Sequence, residues 1–176
     1  MASWRDVISE DDHRGYSVRE TSLPAYDEGT VLRCSRLCEE NLCGRYGTCW
    51  ACPPGFSEHM DTLSEIFGSA LLVSRFFPCD PNDPKAVEEC NADMKSVVRM
   101  IVDRLRGAGI RCSGLSDGGC DLCPVCAYPK ACRHPDLVLP SISAVGIDME
   151  SYLASVGEKF EFRDDGVTFY GIILIA

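Results

Sequence analysis

The spacing of apolar residues changes several times along the chain, and each change marks an element. From 84 to 107, apolar residues fall at 87, 90, 94, 97, 98, 101, 102 and 105. That three-to-four spacing lines one side of a long amphipathic helix. Asp83 and Pro84 supply a cap and a first-turn proline, and Gly107 and Gly109 stop the helix. The stretch 70–77, Ala-Leu-Leu-Val-Ser-Arg-Phe-Phe, reads as a buried strand closed by Pro78, and 168–175, aromatic and β-branched, as a second. Strands are also predicted at 16–21, 30–34 and 110–115, the last turning Cys112 inward. Two shorter helices are predicted: 57–67, capped by Ser57 with Met60, Leu63 and Phe67 on one side, and 146–156. Residues 1–29 are otherwise polar and irregular, an N-terminal extension. Residues 30–176 read as a single cysteine-rich metal-binding αβ domain. The fold class is α+β: a small layered αβ domain carrying two cysteine-rich metal-binding loops.

Composition sharpens this picture at one point. Of 176 residues, 12 are cysteine, and 17 basic against 27 acidic side chains leave a formal charge of −10. The acidic balance argues against nucleic acid as a partner. The longest apolar run, 171–176, is too short to span a membrane, and no basic-then-apolar leader pattern opens the sequence. A cysteine-rich chain of this kind is expected in the cytoplasm with its thiols reduced, where cysteine density points to metal or redox chemistry. No phosphate-cradling glycine loop, dinucleotide fingerprint or zinc-protease helix motif is present.

The cysteines are concentrated in two places. Cys34, Cys38, Cys43, Cys49 and Cys52 lie within 19 residues, and Cys120, Cys123, Cys126 and Cys132 within 13. Cys120, Cys123 and Cys126 form C-x2-C-x2-C. Three thiolates at this spacing can wrap one compact cluster, as ferredoxins wrap 4Fe-4S, whereas zinc sites more often use separated C-x2-C pairs. Gly118 and Gly119 permit the tight backbone approach such a loop needs. Cys132 follows after five residues as the fourth thiol. In the first group Cys49 and Cys52 form C-x2-C, and Pro53-Pro54-Gly55 turns the chain away from Cys52. Tyr46 and Trp50 are placed either to shield a cluster or to pack in the core. Cys90, on the apolar stripe of the long helix, is expected to be a small core residue. Cys34 and Cys79 stay undecided. Lys95, Arg99 and Arg106 read as a solvated helix face, and His134 as a residue fixing its loop.

The run Cys38…Cys43-x-x-Tyr46-Gly47…Cys52-Pro53-Pro54, followed by Gly119-Cys120-x-x-Cys123-x-x-Cys126-Ala127-Tyr128-Pro129…Cys132-Arg133-His134-Pro135, resembles the paired motifs of a cysteine-rich family of predicted metal-binding proteins. That family has no assigned function and is found mainly in anaerobic bacteria and archaea. Pro140-Ser141 and Gly146-Ile147-Asp148 continue the likeness, which covers about residues 34–157. The resemblance implies seven ligands, Cys38, Cys43, Cys52, Cys120, Cys123, Cys126 and Cys132; Cys49 is the natural eighth. Where relatives tend to read Ser-Met-Glu-Ala, this chain has Ser141-Ile-Ser-Ala.

The function expected is binding of one or two 4Fe-4S clusters, with a redox or electron-transfer role in an anaerobe and a redox protein as partner. Eight thiolates would complete two clusters. Seven would leave an open iron and make an enzyme, as an open zinc position does. The third reading is a zinc-stabilised interaction module.

Overall fold

The computed structural model describes residues 3–161 and 163–176; Met1 and Ala2, which begin the predicted extension, and Phe162 lie outside the described residues. In chain order the elements are α1 (Trp4–Val7), β1 (Ser17–Thr21), α2 (Glu28–Glu39), α3 (Met60–Leu63), β2 (Ser69–Phe77), α4 (Pro84–Gly107), β3 (Cys112–Ser116), α5 (Met149–Ser155) and β4 (Val167–Ile175). Two 3-10 turns, Glu10–His13 and Pro135–Leu137, complete them. The chain divides into two compact units, residues 1–23, 67–116 and 160–176, and residues 24–66 and 117–159.

The first unit is a four-stranded antiparallel sheet, ordered β1-β2-β4-β3, with α4 against it. Ala70–Val73 of β2 and Tyr170–Ile175 of β4 are buried at every position. Side chains on both faces of these strands are therefore shielded, which explains their apolar runs in place of alternation. Asp83 accepts from the Lys85 N–H at 3.0 Å, capping α4 as its sequence requires. Met94, Val98, Ile101, Val102 and Leu105 are the buried apolar side chains of α4. A Cβ added to Gly171, the β4 residue opposite Val73 and Ser116, would lie 2.3 Å from Val98 Cγ2. A glycine at the sheet centre thus lets the helix approach closely. The segment before β1 is more ordered than its polarity predicts. Ser3 and Asp6 form a capping box on α1, and Asp12 pairs with Arg104 of α4 at 2.9 Å.

The second unit holds α2, α3 and α5 joined by long turns, and it contains both cysteine groups. The strand predicted at 30–34 is instead part of helix α2. Asp27 accepts from the Thr30 N–H at 2.7 Å, and this cap starts a helix at a point where 31 and 34 also fit helical spacing. The helix predicted at 57–67 contracts to the single turn α3. Ser57 lies outside it, His59 in the cap position makes no side-chain bond, and Pro53-Pro54-Gly55 occupies the chain just before.

Two side chains of the sheet unit also depart from expectation. Lys95 is buried beside Met94 and Val98, because the covered side of α4 is wider than the apolar stripe. Cys90 is not in the core: it is half-buried, and burial followed by the Cys79 side chain raises its thiol above the ordinary range. Cys112 is buried as its strand alternation predicts, its Sγ 3.7 Å from the Val102 carbonyl oxygen. Among the described residues no helix is long and apolar enough to cross a membrane.

Candidate metal centre

Both cysteine loops are set by backbone contacts within the second unit. Ser141 N–H donates to the Ala51 carbonyl at 2.8 Å, tying the Cys49–Cys52 turn to the stretch after the second group. Gly47 N–H donates to the Pro53 carbonyl at 2.8 Å, which closes the turn from the other end. Trp50 donates its indole N–H to the Lys130 carbonyl at 2.9 Å and meets Tyr128 edge-on at 5.1 Å between ring centroids. Trp50 therefore fixes one cysteine loop to the other, a role its sequence position did not reveal. Gly55 closes the same turn: a Cβ there would come within 2.6 Å of the Cys49 carbonyl oxygen.

These anchors bring thiols of both groups together. Cys49, Ala51 and Cys52 are buried as one nest, and Cys120, Cys126 and Val138 pack against it. The Cys52 thiol donates to Cys49 Sγ, and backbone groups of Cys120, Ala51 and Cys52 also hydrogen-bond that sulfur. These bonds outweigh burial and hold the Cys49 thiol well below its ordinary range. Cys52 is pushed up, first because it is the donor to Cys49, then by burial and by the neighbouring thiols Cys49, Cys43 and Cys38. The pair shares one proton. Cys38 is raised by burial, partly offset by a hydrogen bond with Ser143. All four first-group candidates, Cys38, Cys43, Cys49 and Cys52, thus lie in one electrostatic neighbourhood.

The second group surrounds its own cleft, lined by Cys120, Cys123, Cys126 and Cys132 together with Arg133 and His134. His134 acts through its backbone, donating N–H to Cys132 Sγ at 3.4 Å, while Arg133 donates to the Val125 carbonyl at 3.0 Å. The Arg45 side chain lies against Gly119, 3.0 Å from where a Cβ would stand, and so carries a cation to the start of the second loop. Neither the Arg45 nor the Ser143 contact had a signal in the local sequence, since each joins residues far apart along the chain. Cys34 is buried in α2 with its sulfur 4.0 Å from the Ile147 carbonyl oxygen, a packing position.

All eight predicted ligands lie in this unit, and Cys120 and Cys126 join the two groups. Among the described residues, no three His, Cys, Asp or Glu side chains stand close enough to hold a metal ion as they are. The donor chemistry fits a thiophilic metal all the same. Thiols are gathered in an apolar nest, one of them has a lowered pKa, and backbone N–H groups point at Cys49 and Cys132 sulfurs as they do around metal thiolates.

An α+β chain whose second unit is lined by thiols from two motif groups falls in the class of cysteine-rich metal-binding proteins. Residues 30–175 match the family described as predicted metal-binding protein (DUF2284), and the chain belongs to that family. Comparison with curated proteins and with solved structures gives no match.

Proposed function

We propose that the protein binds iron–sulfur clusters of the 4Fe-4S type, one or two, and passes electrons to a protein partner. The observation that carries this reading is the shared nest of Cys49, Cys52, Cys120 and Cys126, adjoining a cleft lined by the second group's four thiols. Cys38, Cys43, Cys49 and Cys52 would hold one cluster and Cys120, Cys123, Cys126 and Cys132 the other. A bound cluster would supply reversible one-electron transfer at a potential set by charge, hydrogen bonds to sulfur and exposure.

The residues of this chain then do three things. N–H groups directed at Cys49 and Cys132 stabilise thiolate charge. Arg45 and Arg133 place cations beside the second loop. Burial of Cys49 and Cys52 excludes water from one side. Leu42, next to Cys43, is 89% exposed and Val125, next to Cys126, is 76% exposed. Apolar tips beside ligand loops, on a chain of charge −10, suit brief docking to a basic redox partner.

The test is analysis of protein isolated without oxygen. Iron and acid-labile sulfide in equal amounts, with a brown absorption that bleaches on reduction, are expected. Colourless protein with stoichiometric zinc overturns the cluster and selects the zinc-stabilised interaction module.

A further inference from the structure

One end of the four-stranded sheet carries an open cleft of about 660 Å³, lined entirely by residues of the first unit. Ser69, the first residue of β2, pairs with Ile175, the last of β4, and Ile175 pairs in turn with Cys112, the first of β3. The cleft opens where these strand ends meet the turn that follows α4, and Ile110 and Ile175 give it an apolar wall. Its volume lies within the range of small-molecule sites, roughly 300–1,000 Å³. Three charged side chains line it: Arg5, Glu20 and Arg111. Two of them neutralise each other. Glu20 Oε2 accepts from the Arg5 guanidinium at 2.9 Å and from the Trp4 indole N–H at 3.1 Å, and the Arg5 guanidinium carbon stands 4.5 Å from the centre of the Trp4 ring. That network fixes the indole at one side of the cleft. Arg111 differs. It is exposed, its backbone is held by the Ala176 N–H donating to its carbonyl at 3.1 Å, and its guanidinium has no ion-pair partner among the described residues. Two cations against one anion leave a single uncompensated positive charge beside an apolar wall.

We propose that this cleft binds a small organic carboxylate with an apolar body. The carboxylate pairs with the Arg111 guanidinium, and the body lies along Ile110, Ile175 and the Trp4 ring. The planar guanidinium offers paired N–H donors that match the two oxygens of a carboxylate. Removing the apolar body from water supplies the rest of the affinity. A cationic ligand is disfavoured, because Glu20, the acidic side chain in the lining, is already held by Arg5 and Trp4.

The test is calorimetric titration of full-length protein, isolated without oxygen with its metal. Three probes are compared. Sodium hexanoate carries both the charge and the body, hexanamide keeps the body without the charge, and sodium acetate keeps the charge without the body. Hexanoate should bind with a Kd of about 1 mM, the affinity of an efficient ligand of its size. Hexanamide and acetate should each bind at least about tenfold more weakly, having lost the ion-paired hydrogen bonds or the buried methylenes. Arg111→Gln should weaken hexanoate by about tenfold or more and leave hexanamide as in wild type, with the unfolding temperature unchanged. The proposal is overturned if hexanoate gives no saturable binding by about 10 mM, if hexanoate binds no tighter than hexanamide or acetate, or if Arg111→Gln binds hexanoate as wild type does. The comparison of probes on wild-type protein needs no variant to fold, and it stands whether the metal proves to be iron or zinc.

Discussion

Gly55 is the residue where the thiol loop has least room, and Gly55→Ala makes the anchoring argument quantitative. A Cβ at this position would lie 2.6 Å from the Cys49 carbonyl oxygen, 3.1 Å from the Cys52 carbonyl oxygen and 3.1 Å from the Trp50 Cα. Favourable contacts between such atoms lie at about 3.5 Å, so the overlap is close to 1 Å. All three neighbours are backbone, and none can rotate aside. The turn itself must shift, and overpacking of this kind costs about 1–3 kcal/mol. If the metal-bound state needs the turn as it stands, the same energy lowers metal affinity about 5- to 150-fold. Chelator competition measures the affinity, and thermal unfolding with and without metal measures the stability. Gly157→Ala is the control. Its φ of +77° strains any side chain, but nothing lies within 4 Å of the added Cβ. It should cost about 1–2 kcal/mol of stability and leave metal affinity alone. If Gly55→Ala binds metal as tightly as wild type and unfolds at the same temperature, the turn does not position the ligands and the reasoning fails.

Other substitutions separate the remaining roles. Cys126→Ala should lose most of the bound metal, whereas Cys112→Ala, at a packing position in β3, should keep it; equal metal contents would show the nest is not the site. Asp148 accepts from the Ser151 N–H at 3.0 Å as the cap of α5 and pairs with Arg33, which together hold its carboxyl below the ordinary range. A lowered folded-state pKa stabilises above the unfolded value, about 3.9, and the effect is lost as pH falls through the folded value. Asp148→Asn should therefore cost about 1 kcal/mol at pH 7 and little in strong acid, read by urea unfolding at both; an equal cost at both would refute the linkage. Gly171→Ala drives a methyl to 2.3 Å from Val98 Cγ2 and should cost about 1–3 kcal/mol. Val98→Ala in the same chain should relieve part of that cost, and strict additivity of the two changes would mean that the helix and sheet do not meet there.

The main scaffold was legible because its signals are local. The period of apolar residues over 84–107, with Asp83 and Pro84 ahead of it, specifies α4, and the dense apolar runs specify β2 and β4. The cysteine spacings likewise marked every thiol that gathers in the second unit. Where local signals conflicted, the reading failed. Residues 30–34 open on β-branched Thr30 and Val31, which suit a strand, but the Asp27 cap and the packing of Val31 against Gly146 stabilise a helix. Lys95 read as solvated because a side chain's cover is set by what surrounds the helix, not by its own polarity.

The sequence by itself determined the fold class, the long helix, the buried strands and the two cysteine motifs, since these depend on contacts within a few residues. Only the tertiary structure decided which thiols meet. Cys49 and Cys52 pack with Cys120 and Cys126 because Ala51 bonds to Ser141 and Trp50 to Lys130. Those pairings join residues 68 to 90 positions apart in sequence. They follow from chain closure and shared burial, which no spacing rule contains.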